Sequence, residues 1–293
     1  MEEQQNAQRS NRMQTLLDGS SPHQILTDPF PHLVVENALP EQLCQQLIRE
    51  FPPLEVFTKG QPFGENQKRY YHGAHALAEN HLSPAWKTML TDFLHPSTWT
   101  QCYRLFQTAF FNEFPDFEAQ LGKLEQLKTG VRLREDFTTC DVLLDSMLLI
   151  HTPVTGHPCV ERGPHLKLFD TMYLGYFFLR PEEDEAEGGD LELFSIKPGA
   201  KIRLNQRQTV DRDLLKLEKT IPYRANTLVL FLNTSRSIQG LSARTASRFP
   251  ILNFHFDARF RSPLFTVRQK PGTAARSFLK RNTQRLTNLF SNK

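Results

Sequence analysis

The sequence predicts a mainly-β α+β fold, a β-barrel or jelly roll with helices packed outside one sheet. Two features of its texture predict this. Up to about residue 127, apolar side chains recur at helical spacing. Beyond it they come in short branched and aromatic runs bounded by Pro, Gly and Asn, with no alternation of strand and helix. Length agrees: 293 residues suit one decorated barrel as well as two domains.

Taken in order, residues 1–22 are polar and rich in Gln, Asn and Ser, and predict a loose arm. Residues 30–35 predict a first strand. Pro40 then opens a helix striped by Leu43, Leu47, Ile48 and Phe51, and Pro52-Pro53 ends it. Residues 59–80, polar and aromatic, predict a long loop. Ser83-Pro84 and Ser97 are cap-like starts for two helices, one striped by Trp86, Leu90 and Phe93, the other by Trp99, Cys102, Phe106 and Phe110. Strands are predicted over 142–151, 171–180, 190–194, 217–223, 227–232 and 249–257. The chain thus divides into a polar arm (1–22), a helical part (23–126), a β core (127–257) and a tail (258–293).

Composition removes several classes. Hydrophobic residues make up 39% of the chain, enough for a sizeable core, so global disorder is excluded. The longest apolar stretch, residues 172–179, is far short of a membrane span. The first residues have neither a basic start nor an apolar signal core, so a cytoplasmic protein is expected. Cys44, Cys102, Cys140 and Cys159 form no Cys-x-x-Cys pair, so reduced and buried thiols are expected. No Gly-x-Ser-x-Gly elbow or phosphate-binding glycine loop occurs.

The formal charge of +3 hides an asymmetry. No Asp or Glu follows Asp257, and the tail carries nine positive charges. The rest holds 26 basic and 32 acidic residues, a net of −6. Within the tail, Arg276, Lys280, Arg281 and Arg285 alternate with Phe278, Leu279, Leu286 and Leu289, the pattern of a basic amphipathic C-terminal helix. Such a helix suits an anionic membrane, a nucleic acid or an acidic protein; it also suits docking on the acidic body of its own chain. The loop 181–187 holds five carboxylates and is expected to be solvated, or to clasp the tail.

Three segments carry a resemblance. They are His151-Thr152-Pro153 leading to Gly163-Pro164-His165, Tyr173 to Arg180 with Gly188-Gly189-Asp190-Leu191-Glu192-Leu193, and residues 221–233 with Ser237-Ile238-Gln239-Gly240 and Arg244. Together they resemble the 2-oxoglutarate/Fe(II)-dependent oxygenase superfamily, over about residues 28–257, and are most similar to its phytanoyl-hydroxylase-like and prolyl-hydroxylase-like bacterial branches. The resemblance implies a double-stranded β-helix (jelly roll, cupin-like) core. It also implies Fe(II) held by a His-x-Asp pair and a distal His, with 2-oxoglutarate paired to a basic residue beyond them. Hydroxylation of an unidentified small molecule or protein is the reaction it implies.

On those positions this chain reads His165, Lys167 and Gln239, with Gln239 lying 74 residues after His165. Arg248, with Arg244 as runner-up, falls at the 2-oxoglutarate position. Lysine brings a positive charge and no lone pair until deprotonated, and glutamine is a weak neutral oxygen ligand. A non-catalytic or metal-altered member is therefore expected. The alternative is an active dioxygenase in which Asp170, or Asp190 or Glu192, replaces the lost carboxylate. His255-Phe256-Asp257 is a second His-x-Asp string. No His follows it, so it reads as the polar face of the last strand. His72, His75, His81, His151 and His157 lack the compact spacing of a zinc site.

Overall fold

The computed structural model describes residues 15–79 and 81–267. Among these residues ten strands form two sheets. The larger has the order β1 (His32–Glu36), β8 (Thr227–Leu232), β5 (Thr171–Phe178), β10 (Ile251–Phe260), β4 (Val142–His151), β2 (Lys68–His72), with β3 (Thr129–Val131) also on β4. Its pairs are antiparallel except β3 with β4. The smaller sheet is β7 (Leu215–Ile221), β6 (Leu191–Ile196), β9 (Ile238–Leu241). Leu174 and Val229 of the large sheet meet Leu191, Leu193 and Ile221 of the small one in a shared core. This is the mainly-β α+β jelly roll that the sequence predicts.

The helices cover the opposite face of the large sheet. They are α1 (Glu41–Arg49), α2 (Leu54–Thr58), α3 (Gly73–Ala76), α4 (Pro84–Leu94), α5 (Pro96–Glu113) and α6 (Phe117–Leu121). The Ser83 hydroxyl caps α4 by accepting from the Trp86 amide. Helix α5 begins one residue before the expected Ser97, because the His95 ring accepts from the Ser97 amide. Trp86, Phe93 and Trp99 then lie against β10 and β5. Phe93 meets the Phe256 ring at 4.4 Å and the Phe254 ring at 5.0 Å, and Trp99 meets Phe260 at 5.9 Å. Several of the chain's 23 phenylalanines, Phe93, Phe254, Phe256 and Phe260 among them, pack in this seam.

Gly175 of β5 makes the seam possible. A Cβ there would lie 2.1 Å from the Phe256 ring, which Phe93 blocks from behind. Gly175→Ala is expected to cost roughly 1–3 kcal/mol through overpacking. Urea denaturation would read this; an unchanged midpoint would mean that the ring can retreat.

Three expectations need correction. The segment 59–80 is not all loop. Lys68–His72 pairs with the edge of β4, because an aromatic edge strand needs no regular apolar alternation. The polar arm is not loose throughout, since Leu16 and Leu17 are buried in the main core. The loop 181–187 is not merely solvated. Asp184 is buried and bonded to the buried Arg244 at 2.6 Å.

Candidate functional site

Side chains alternate across a strand, and this alternation builds the site. On β10, Phe254, Phe256, Ala258 and Phe260 face the helices. Ile251, Asn253, His255, Asp257 and Arg259 therefore face the space between the sheets. On β2, Tyr71 joins the helix-side core while Lys68, Tyr70 and His72 point inward. Two neighbouring spaces result. An inner cavity of about 30 Å³ is largely apolar, lined by Leu149, Phe178, Leu191, Ile251 and also His151 and Gln239. A more open cleft of about 250 Å³ is lined by Lys68, Arg132, Arg162, Lys167 and Arg259, with Asp257 as the one carboxylate among its lining residues. Lys68, His165 and Tyr176 line both.

His165 and Gln239 are neighbours. The His165 amide donates to the Gln239 carbonyl at 2.8 Å, and the Gln239 amide returns a bond at 3.1 Å, extending the small sheet beyond β9. His165 Nδ1 lies 3.2 Å from the Gly163 carbonyl, which can only accept. Nδ1 is thus the donor, and Nε2 keeps its lone pair. Burial, reinforced by the Arg162 charge, holds His165 well below the usual histidine range, so the ring is neutral. The Gln239 side chain donates to the Tyr176 hydroxyl at 3.4 Å.

Lys167 turns toward β10. Its Nζ lies 3.3 Å from His255 Nε2 and 3.7 Å from Asp257 Oδ2. Asp257 also meets Arg259 at 3.5 Å and His255 at 3.3 Å. Burial alone would push the Asp257 carboxyl up. The Arg259 charge, the His255 hydrogen bond and Lys167 together hold it well below the usual carboxylate range. Burial lowers the Lys167 ammonium to about 8 against the pull of Asp257. Burial and the Lys167 charge lower His255 to about 4. His255 is therefore neutral, and its Nε2 either accepts from Lys167 or donates to Asp257, according to tautomer.

The iron that the resemblance implies does not fit this side-chain set. Lys167 is committed to a carboxylate and an imidazole, and Gln239 to a phenol. Among the described residues no three His, Cys, Asp or Glu side chains converge as a metal site. The substitute carboxylates do not supply one. Asp190 accepts from the Tyr223 amide and the Ser242 hydroxyl. Glu192 forms a two-pronged pair with Arg212 at 3.0 and 3.1 Å. Asp170 lines neither space, and its Oδ1 is buried without a hydrogen-bond partner.

Neither arginine assigned to 2-oxoglutarate lines the two spaces. Arg248 is exposed, its guanidinium over the Phe249 ring at 4.8 Å. Arg244 is sealed in by Asp184, although its Nε and Nη1 have no hydrogen-bond partner. The tail residues Arg276, Lys280, Arg281 and Arg285 lie outside the described residues. No helix among the described residues is long and apolar enough to cross a membrane. Sequence reasoning missed Lys68, Arg162, Tyr176 and Arg259. For Lys68 and Tyr176 the signal was strand alternation, hidden at Lys68 by the loop assignment.

No protein-family model and no curated protein matches the chain. Solved structures do. A prolyl-4-hydroxylase from Pseudomonas putida is 14% identical, over 79% of this chain and 93% of its own, at a TM-score of 0.38. A prolyl 4-hydroxylase from Phytophthora capsici is 13% identical, over 91% of this chain and 73% of its own, at 0.47. The epimerase SnoN, solved with Fe3+, alpha ketoglutarate and nogalamycin RO, is 12% identical, over 83% and 86%, at 0.43.

Proposed function

We propose that this chain is a 2-oxoglutarate/Fe(II)-oxygenase-like protein that binds no catalytic iron, its metal position being filled by a lysine in a buried charge cluster. The observation that carries this reading is Lys167 Nζ, 3.3 Å from His255 Nε2 and 3.7 Å from Asp257 Oδ2, two residues on from the neutral His165. A fixed ammonium beside a carboxylate repels a divalent cation and offers it no lone pair. The neutral His165 keeps its acceptor lone pair, so the loss of metal affinity lies with the other two positions.

In this reading the fold is kept for binding. The barrel mouth takes a small anionic molecule against Lys68, Arg162 and Arg259, with Tyr70 and Tyr176 as walls. Anaerobic titration of the full chain with Fe(II) and 2-oxoglutarate tests the reading. It is expected to give no metal-to-ligand charge-transfer band at one equivalent of iron; a stoichiometric band would overturn it.

A further inference from the structure

We propose that Lys68 is a nucleophilic amine that forms a Schiff base with a small anionic carbonyl compound, a 2-oxo acid, held in the basic cleft. This rests on the reading above that the cleft binds a small anion, and deepens it.

Position comes first. Lys68 lines both the apolar inner cavity and the cleft. Its side chain is only 15% exposed, and its one ion-pair partner among the described residues, Glu161, is 4.0 Å away, beyond hydrogen-bond reach. Lys167 differs, being held by both His255 and Asp257. A lysine that is desolvated, loosely paired and set among other cations is the arrangement that frees an amine for attack at neutral pH. Burial lowers the Lys68 ammonium to about 7; Glu161 opposes this, while Arg162 and Lys167 add to it. The groups around it are Glu161, Arg162, His165 and Lys167 from the segment before β5, His151 from β4, Tyr176 from β5, His255 from β10 and Tyr70 from its own strand.

The cleft also fits the rest of the substrate. Besides Lys68, its wall carries four cations, Arg132, Arg162, Lys167 and Arg259, against one carboxylate, so a carboxylate on the ligand meets a favourable field. Arg162 lines the cleft, its Nε 3.7 Å from Glu161 and without a hydrogen-bond partner, so its guanidinium adds positive charge beside the ligand's carboxylate. The Tyr176 hydroxyl accepts from Gln239 and keeps its own proton to donate, since burial pushes its phenol up to about 12. It is placed to hydrogen-bond the carbonyl oxygen under attack. The Lys68 Nζ lone pair forms a bond to the carbonyl carbon, and the oxygen takes up a proton from solvent. Glu161, 4.0 Å from Nζ, takes the proton that the nitrogen sheds, giving a neutral carbinolamine. Glu161 returns that proton to the hydroxyl; the carbon–oxygen bond breaks, water leaves and the nitrogen lone pair closes the carbon–nitrogen double bond. An iminium is left, with one proton taken up overall and no change in oxidation state.

The test is reductive trapping on the full chain, treated with a chelator so that metal plays no part. Pyruvate and sodium borohydride are expected to add one 1-carboxyethyl group per chain. Peptide mapping should place it on Lys68, at least ~10-fold faster than on the exposed Lys216. Labelling should rise with pH about a midpoint near 7, as the ammonium of Lys68 loses its proton. Acetone, a ketone without the carboxylate, should label Lys68 far more slowly. Lys68→Met should lose the label yet melt no lower than the native chain, because it removes a buried ammonium whose pairing is loose. Label spread over exposed lysines, or none on Lys68 at pH 8, would overturn the assignment. Equal labelling by acetone would overturn the 2-oxo acid as its substrate class.

Discussion

Asp184→Ala is expected to destabilise the chain by about 3–5 kcal/mol. Arg244 is 1% exposed, and its Nη2 meets Asp184 Oδ2 at 2.6 Å. The same carboxylate accepts from the Ser247 hydroxyl at 3.1 Å and the Ala186 amide at 3.3 Å. Arg180 lies 3.6 Å away. Removing Asp184 leaves a buried guanidinium that cannot shed its proton. That guanidinium already has two nitrogens without hydrogen-bond partners, and its Nη2 would keep only long contacts, to the Phe249 carbonyl at 3.4 Å and the Ser247 hydroxyl at 3.5 Å. For a domain stable by roughly 5–15 kcal/mol the loss is a large fraction.

Two comparison variants separate charge from packing. Asp184→Asn keeps an acceptor oxygen but not the charge, and should lose less. Pairing Arg244→Met with Asp184→Leu removes both charges together and should recover most of the loss, because an apolar pair avoids the desolvation that the ion pair has to offset. Urea denaturation of all three gives the ranking. A loss below about 1 kcal/mol for Asp184→Ala would mean that water reaches Arg244.

The same residue shows what a single sequence conceals. Five carboxylates between Pro181 and Gly188 read as a solvated loop, and four of them are exposed. The one that is buried is chosen by Arg244, 60 residues later, and nothing local marks it. Where the signal is local, reading succeeds. All ten residues of Val142–His151 are buried, so the apolar run shows both of its ends. Thr227–Leu232 is similar.

The site divides in the same way. Alternation puts His255 and Asp257 on one face of the last strand, and they do share it. That this face looks into the barrel at Lys167 depends on a pairing across 88 residues. Lys68 was lost for a further reason. Its strand lies on a sheet edge, with one face charged and aromatic, and edge strands of that kind carry no apolar period.

The second large effect is a gain. If Lys167 fills the metal position as proposed, Lys167→Asp combined with Gln239→His should bring stoichiometric Fe(II) binding, with affinity raised on the order of 100-fold or more over the native chain. The two changes would supply a carboxylate and a second imidazole beside His165, completing two histidines and one carboxylate. His165 is prepared for this, since its Nδ1–H is bound to Gly163 and its Nε2 lone pair is free. The backbone pair between His165 and residue 239 already fixes their separation.

Each single variant should fail. Gln239→His leaves the Lys167 ammonium at the metal position, and Lys167→Asp leaves only one imidazole. The cost falls on Asp257, which loses one of its two cationic partners but keeps Arg259 at 3.5 Å. Circular dichroism would establish that the double variant is folded. Anaerobic titration with 2-oxoglutarate would then read the charge-transfer band and the iron stoichiometry. A folded double variant that binds no more iron than the native chain would show that Lys167 does not stand at the metal position. The buried cluster of Lys167, His255, Asp257 and Arg259 would then have to be explained by the stability of the barrel alone.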